Sequence, residues 1–517
     1  MEGEMEVLMD PGGTNSSISR RAFVKKSGLA AVIAGCASCL NSGRGRGPNI
    51  FFTISDDQTW MHAGAYGDPA IETPAFDRIA KEGVLFRHAY VACPSCTPSR
   101  GAVLTGRPIW QLEQGGQLFG TLPAKFAVFP RMLEQAGYFI GWAGAKAWGP
   151  GELEPGGRTQ DPAGRHYNRH RLDDVPEGMV PDDYYRNFLD FLNDREPEQP
   201  FCFWFGPGEA HRSFKKGIGR ESGIDPGQVR GPGCLPDAAQ VRDDIADYYA
   251  EIERYDRDLG RMLDHLQETG ELDNTLVIVT SDNGMPFPRC KATLYDAGVR
   301  VPFAVRFPAK IPGGRTVEDF VSLIDVAPTV LDACSLEIPR EMAGASLMPI
   351  LASNRSGRVD PDRDFVVTAF ERHTLCRPND VGYPMRSIRT HDYLYIRNYQ
   401  PGRWPAGDPD LESVHQGVYG DIDNGPSKSF MLEHRKDPEF EHLFRLGFGK
   451  RPGEELYDVK KDPHQLNNLA GDPQYAEIKA GLSEKMIQYL QNRADPRMDG
   501  LNPWDSYPYY FGDLWKK

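Results

Sequence analysis

Two apolar runs in this chain stop abruptly at acidic side chains. Asn49–Ser55 runs into Asp56-Asp57, and Leu276–Thr280 runs through Ser281 into Asp282-Asn283. Brought together, three carboxylates and an amide oxygen make a hard oxygen site, which suits calcium or magnesium better than zinc or copper. Either pair alone could equally form a tight turn or a cap. Both, however, stand where a buried strand gives way to a loop, and in open α/β sheets ligands gather beyond the carboxyl ends of the strands. Other side chains with chemical potential follow in order. Cys96 opens the run Cys-Thr-Pro-Ser-Arg-Gly-Ala-Val-Leu-Thr-Gly-Arg, which ends at Arg107. Lys146 follows a short strand-like segment, His211 follows Phe201–Phe205 and a Gly/Pro turn, and Lys291 closes Ser281–Lys291.

The run Cys96–Arg107 resembles the signature of the sulfatase family, and the similarity extends in the same order to Asp56-Asp57, Lys146, His211, Asp282-Asn283 and Lys291, covering the chain from about Pro48 onward. The resemblance implies a three-layer α/β, alkaline-phosphatase-like catalytic domain with a smaller carboxyl-terminal α+β domain containing an antiparallel sheet. It also implies that a formylglycine-generating enzyme, reading a sequence that includes Pro98 and Arg100, oxidises Cys96 to formylglycine (3-oxoalanine), whose hydrate is the nucleophile. By the same resemblance Asp56, Asp57, Asp282 and Asn283 hold calcium together with position 96. Arg100 stabilises the formylglycine, Lys146 and Lys291 hold the sulfate, and His211 protonates the leaving group. The chemistry is coherent: a thiolate would stay attached once sulfated, whereas a gem-diol expels sulfate as the aldehyde re-forms. A metal and cations neutralise charge on the sulfuryl oxygens, and a proton donor matters more as the leaving group worsens.

Ser281–Tyr295, Ala210-His211-Arg212 and Tyr383-Pro384-Met385-Arg386-Ser387 resemble one branch of the family, the heparan N-sulfatases (sulfamidases, or N-sulfoglucosamine sulfohydrolases). That branch implies a sulfated saccharide substrate, with hydrolysis of the sulfamate of terminal N-sulfated glucosamine; the alternative is an O-sulfatase acting on another sulfated glycan. A non-catalytic glycan-binding lipoprotein is disfavoured because the full set of reactive residues is present. Two departures stand out. Trp148 occupies the place of a histidine two residues after the active-site lysine, and an indole N–H donates one hydrogen bond but exchanges no proton. Either another base serves, one of His373, His391 or His415, or the protein has a changed rate or substrate. Pro108–Pro123, which lines the entrance in the family, contains no histidine. Glu371, Arg372, His373, Arg377 and Arg386, with Trp148, are candidates for substrate binding, since an arginine fork binds both oxygens of a carboxylate or sulfate.

These residues need a frame. Asn49–Ser55, Tyr138–Trp142, Phe201–Phe205, Leu276–Thr280 and Val301–Phe307 read as buried strands. Between them Thr73–Glu82, Phe129–Ala136, Asn187–Arg195, Val241–Thr269 and Ile324–Leu331 carry helical spacing. Strands alternating with helices predict a catalytic domain over residues 48–360. After a polar stretch, the short strands Phe365–Phe370, Arg386–Arg389, Tyr393–Arg397 and Glu455–Tyr457 and the helix Tyr475–Leu490 predict an α+β domain over 361–517.

The chain has 517 residues and a formal charge of −14, which argues against nucleic acid as a partner. Nine cysteines are scattered rather than framed, and zinc would need the two Cys-x-x-Cys pairs to converge. Residues 1–47 read as an export signal and linker. Arg20-Arg21 precede a short apolar run, resembling a twin-arginine signal, and Ile33–Cys36 resembles a lipoprotein processing site with a lipid anchor at Cys36. The expectation is an exported bacterial protein, periplasmic or membrane-tethered, with no transmembrane span in its mature body.

Overall fold

The computed structural model describes residues 47–145, 147–413 and 416–511. The expected leader, Cys36, Lys146 and His415 lie outside them. The described residues form one compact unit.

Its main sheet has eight strands: β1 (Asn49–Ser55), β2 (Val84–Tyr90), β3 (Phe139–Gly144), β4 (Arg165–His166), β5 (Phe201–Gly206), β6 (Thr275–Ser281), β7 (Phe303–Arg306) and β8 (Arg315–Ser322). The spatial order is β4-β3-β5-β1-β6-β7-β2-β8. All neighbours are parallel except at β7, which runs antiparallel to β6 and β2. β1 lies at the centre between β5 and β6, with Ser55 opposite Ser281, so the two acidic pairs leave the sheet side by side.

Alternation along β1 and β6 builds the layers. Phe51, Val277 and Val279 join one cluster with Phe76 and Ile79 of the helix Pro74–Glu82 and with Tyr255, Leu259 and Leu263 of the long helix Ala239–Glu268. Ile50, Phe52, Leu276 and Ile278 join the opposite cluster, with Ala102, Val103 and Leu104 of the helix Cys96–Thr105 and with Val330 of the helix Val326–Ala333. A strand buried on both faces presents an unbroken apolar run, which is why these segments were legible.

The second sheet is antiparallel: β9 (Phe365–Phe370), β10 (Met385–Thr390), β11 (Tyr393–Asn398) and β12 (Glu454–Asp458), in the order β12-β11-β10-β9. Val366, Ile388, Leu394 and Leu456 belong to the same apolar cluster as Ile50 and Phe52, so the two sheets share a core. Among the described residues no helix is long and apolar enough to cross a membrane.

Candidate active site

Asp56 and Asp57 follow β1 directly, and Asp57 takes a left-handed backbone with φ of 65°. A non-glycine residue holds that conformation only where its surroundings impose it. Here Asp57 N–H donates to Asp282 Oδ1 at 3.1 Å, and Asp282 N–H donates to Ser55 O at 3.1 Å, stitching the two strand ends together. Asn283 Nδ2 donates to Asp57 Oδ1 at 2.6 Å, while its own Oδ1 is buried without a hydrogen bond. One ligand atom from each of Asp56, Asp57, Asp282 and Cys96 lies within 4.8 Å of all the others. Burial pushes the Asp57 carboxyl up to about 6 against the pull of Lys291. Burial, and then Asp56, push Asp282 up to about 7. Carboxylates crowded in a dry pocket, with an orphaned amide oxygen beside them, are a donor set that a hard divalent cation would satisfy.

Cys96 opens the wholly buried helix Cys96–Thr105, so its side chain lies at the positive end of the helix dipole. Its Sγ is 3.4 Å from Asp56 Oδ1. Arg100, one turn on and therefore on the same face, donates from Nε to Asp282 Oδ2 at 2.8 Å and sits 3.8 Å from Asp56. Lys291 Nζ lies 2.8 Å from Asp57 and 3.3 Å from Asp423. Burial works against its charge, yet Asp423 and Asp57 hold the ammonium well above its ordinary range.

His211 follows β5 through Gly206–Gly208, and its Nδ1 is 2.5 Å from Arg212 O, the geometry of an N–H donating to the carbonyl. Arg212 fixes that loop. It forks onto Asp244 at 2.8 and 2.7 Å between the rings of Phe214 and Phe287, and it donates to Pro286 O in the loop after Asn283.

The expected substrate-binding residues divide. His373 does approach the centre: its Nδ1 is 2.9 Å from Oγ of Ser95, the neighbour of Cys96, and burial lowers its pKa to about 4. His391 does not, lying instead against His88 and Phe320 beside β2 and β8. The expectation of a charged sugar rim is corrected for Glu371, Arg377 and Arg386. Arg386 is fully buried and binds Asp495 and Glu371 at 2.7 Å each, while Glu371 also accepts from Arg497 at 2.9 Å. Arg377 is buried on Asp421 and on the carbonyls of Trp404 and Pro405. Charges this deep must be paired, and each has its partners within the fold. Arg372 donates to Tyr507 O at 2.9 Å and Pro508 O at 3.4 Å. Trp148 is 3% exposed and packs against the signature helix, where a side chain at Gly101 would come within 2.9 Å of its ring.

Sequence reasoning missed Asp423. It sits in a loop that Lys428 rigidifies by donating to the carbonyls of Gln416 and Ile422 and to Asn424 Oδ1. The only signal was the acidic run Asp421-Ile422-Asp423-Asn424, which resembles any polar turn.

The fold is alkaline-phosphatase-like, and Cys96, Arg100, Lys291 and the acidic side chains cluster beyond the carboxyl ends of its central strands. The sequence model described as Sulfatase matches residues 48–336, and the chain belongs to that family. It is a sulfatase enzyme. Within the family it is N-sulfoglucosamine sulfohydrolase-like: the model described as N-sulphoglucosamine sulphohydrolase, C-terminal, matches residues 290–407. The chain is 30% identical to the N-sulphoglucosamine sulphohydrolase of Homo sapiens, with 90% of this chain and 94% of that one covered. It is 25% identical to an N-acetylglucosamine-6-O-sulfatase of Bacteroides thetaiotaomicron, covering 89% and 90%. A solved structure in complex with its substrate D-glucosamine-2-N,6-O-disulfate shares the fold, with a TM-score of 0.64 at 22% identity over 88% of this chain and 100% of that one.

Proposed function

We propose that this sulfatase hydrolyses the sulfamate of N-sulfated glucosamine in heparin- or heparan-type saccharides, releasing sulfate and a free amine. One observation carries the reading: the N-sulphoglucosamine sulphohydrolase match over 290–407 spans Lys291 and His373, two side chains that lie around Cys96. The 30% identity to the human sulphohydrolase supports the same branch. The likeness to an N-acetylglucosamine-6-O-sulfatase favours a second reading, an O-sulfatase on a related glycan.

Asp56, Asp57, Asp282 and the orphaned Oδ1 of Asn283 would hold calcium, which supplies a positive charge to the oxygens of a bound sulfuryl group. Matured to formylglycine, position 96 supplies a hydrated aldehyde as nucleophile. Arg100 fixes that group against Asp56 and Asp282, and Lys291 and Lys146 hold the remaining sulfuryl oxygens. His211 delivers a proton to the departing nitrogen as the S–N bond breaks, because an amide-like anion is too basic to leave alone. Among the described residues, His373 is the candidate replacement base that lies near position 96. The leader read at residues 1–47 would place this reaction in the periplasm or at a membrane surface.

The test compares N-sulfoglucosamine with glucosamine 6-sulfate on calcium-loaded protein whose Cys96 is formylglycine by peptide mass. The expectation is a kcat/KM at least about a hundredfold higher for the N-sulfate, as differential transition-state binding at a polar site allows. The reverse order would assign the enzyme to the O-sulfatases.

A further inference from the structure

Cys96 is 2% exposed, and besides the carboxylate of Asp56 an apolar group packs against it. Leu118 and Phe119 pack on Cys96 in a small apolar cluster of their own, joined by Tyr509 and Phe511 from the far end of the chain. The ring centroids of Tyr509 and Phe511 lie 4.5 and 4.7 Å from that of Phe119. Phe119 holds a left-handed backbone with φ of 53°, a conformation retained only where the surroundings over-determine it.

Polar contacts to the backbone pin the covering segment. Tyr510 N–H donates to Phe119 O at 2.7 Å, Arg372 donates to Tyr507 O at 2.9 Å and Pro508 O at 3.4 Å, and Gln117 donates to Trp504 O at 3.2 Å. Upstream, Trp504 is buried against the guanidinium groups of Arg386 and Arg497. A segment with one buried anchor and then backbone pins can shift its rings without disturbing the sheets. Tyr509 and Phe511 are half-buried and pack against the cluster.

We propose that Tyr507–Phe511 is a substrate-binding strap: the rings of Tyr509 and Phe511, with Phe119, form an apolar wall that stacks on the pyranose ring carrying the sulfuryl group. A sulfated sugar is amphipathic. Its anionic end suits Arg100, Lys291 and a cation, but its C–H face needs a flat apolar partner, which aromatic rings supply at little entropic cost. The strap also shields the nucleophile from water, and it moves aside when a saccharide enters. Arg372 acts on the substrate through the strap, as a positioning residue. The proposal rests on the site being at Cys96 and not on which sulfate is released.

The test uses the full chain produced without maturation, so that position 96 remains a thiol. Alkylation of Cys96 by iodoacetamide is followed by peptide mass spectrometry, and binding of glucosamine N,6-O-disulfate to the calcium-loaded protein by calorimetry. In the Tyr509→Ala/Phe511→Ala variant, loss of two stacking contacts is expected to raise the labelling rate and weaken saccharide binding by about tenfold each. Arg372→Ala is expected to raise the labelling rate alike. Tyr509→Phe keeps the ring and is expected to match the unaltered protein in both readouts, which a role for the hydroxyl in folding would not produce. Unchanged labelling in the double variant, or unchanged saccharide affinity, would overturn the proposal.

Discussion

Replacing Arg386 distinguishes a structural charge from a substrate contact. Its guanidinium is fully buried, bonded to Asp495 at 2.7 and 3.1 Å, to Glu371 at 2.7 Å and to Met385 O at 2.9 Å, and flanked by Trp110 and Trp504. Arg386→Met preserves much of the bulk but leaves Glu371 with Arg497 as its remaining close cation and removes the one ion-pair partner that Asp495 has among the described residues. Removing one partner of a buried ion network costs about 3–5 kcal/mol, because the orphaned carboxylate stays desolvated. Arg386→Lys restores a charge but cannot fork onto both acids, so its cost is smaller, about 1.5–3 kcal/mol for the charged hydrogen bonds lost. Urea unfolding should therefore rank unaltered protein above Lys above Met. Under conditions where each variant is folded, KM for the sulfated saccharide should stay within about twofold, since uniform substrate binding is untouched. A variant of unchanged stability whose KM rises would refute the reasoning and restore Arg386 as a sugar contact.

Four further outcomes are expected. Asp423→Asn should lower kcat/KM by about ten- to a hundredfold, the value of a charge-assisted contact, because Lys291 loses the carboxylate 3.3 Å away that opposes its pull toward Asp57. His211→Ala should lower turnover of the saccharide by about 10²–10⁴-fold, but that of nitrophenyl sulfate far less, since a phenolate leaves without a proton. Calcium chelation should lower the thermal midpoint by the loss of about 2.7 kcal/mol if the ion had been at a hundred times its Kd, and calcium should restore it; no shift would argue against a resident ion. Burial holds His62 at about 4, below its ordinary 6.5, so the unfolded chain takes up that proton first as pH falls. Stability from His62 is thus full above pH 6.5 and is lost toward pH 4. His62→Gln, compared with the unaltered protein by thermal melts, should remove that part of the pH slope.

The sequence was most readable where burial is two-sided. β1, β5 and β6 are buried, largely apolar runs, and the carboxyl ends of β1 and β6 carry Asp56-Asp57 and Asp282-Asn283. β2 and β8 escaped notice because they lie toward one edge, where Arg87, His88, Thr316 and Glu318 face partly outward and break the run. The signature segment was recognised by its residue order, but its being a helix was not: every residue of Cys96–Thr105 is buried, so no amphipathic stripe marks it. Charged residues near the site misled for a related reason. Sequence cannot tell an arginine that faces a ligand from one that faces a carboxylate more than a hundred positions away, as Arg386 faces Asp495. Asp423, Phe119 and Tyr509 were illegible because long-range loop docking, rather than local periodicity, brings them together with the residues around Cys96.

The most direct measurement offers one molecule both choices. A heparin-type disaccharide ending in glucosamine with N- and 6-O-sulfate is given to calcium-loaded enzyme with formylglycine verified at position 96, and the product is mapped by mass spectrometry. Loss of the N-sulfate first is expected, with a free amine and the 6-O-sulfate retained. Release of the 6-O-sulfate with the sulfamate intact would contradict that expectation.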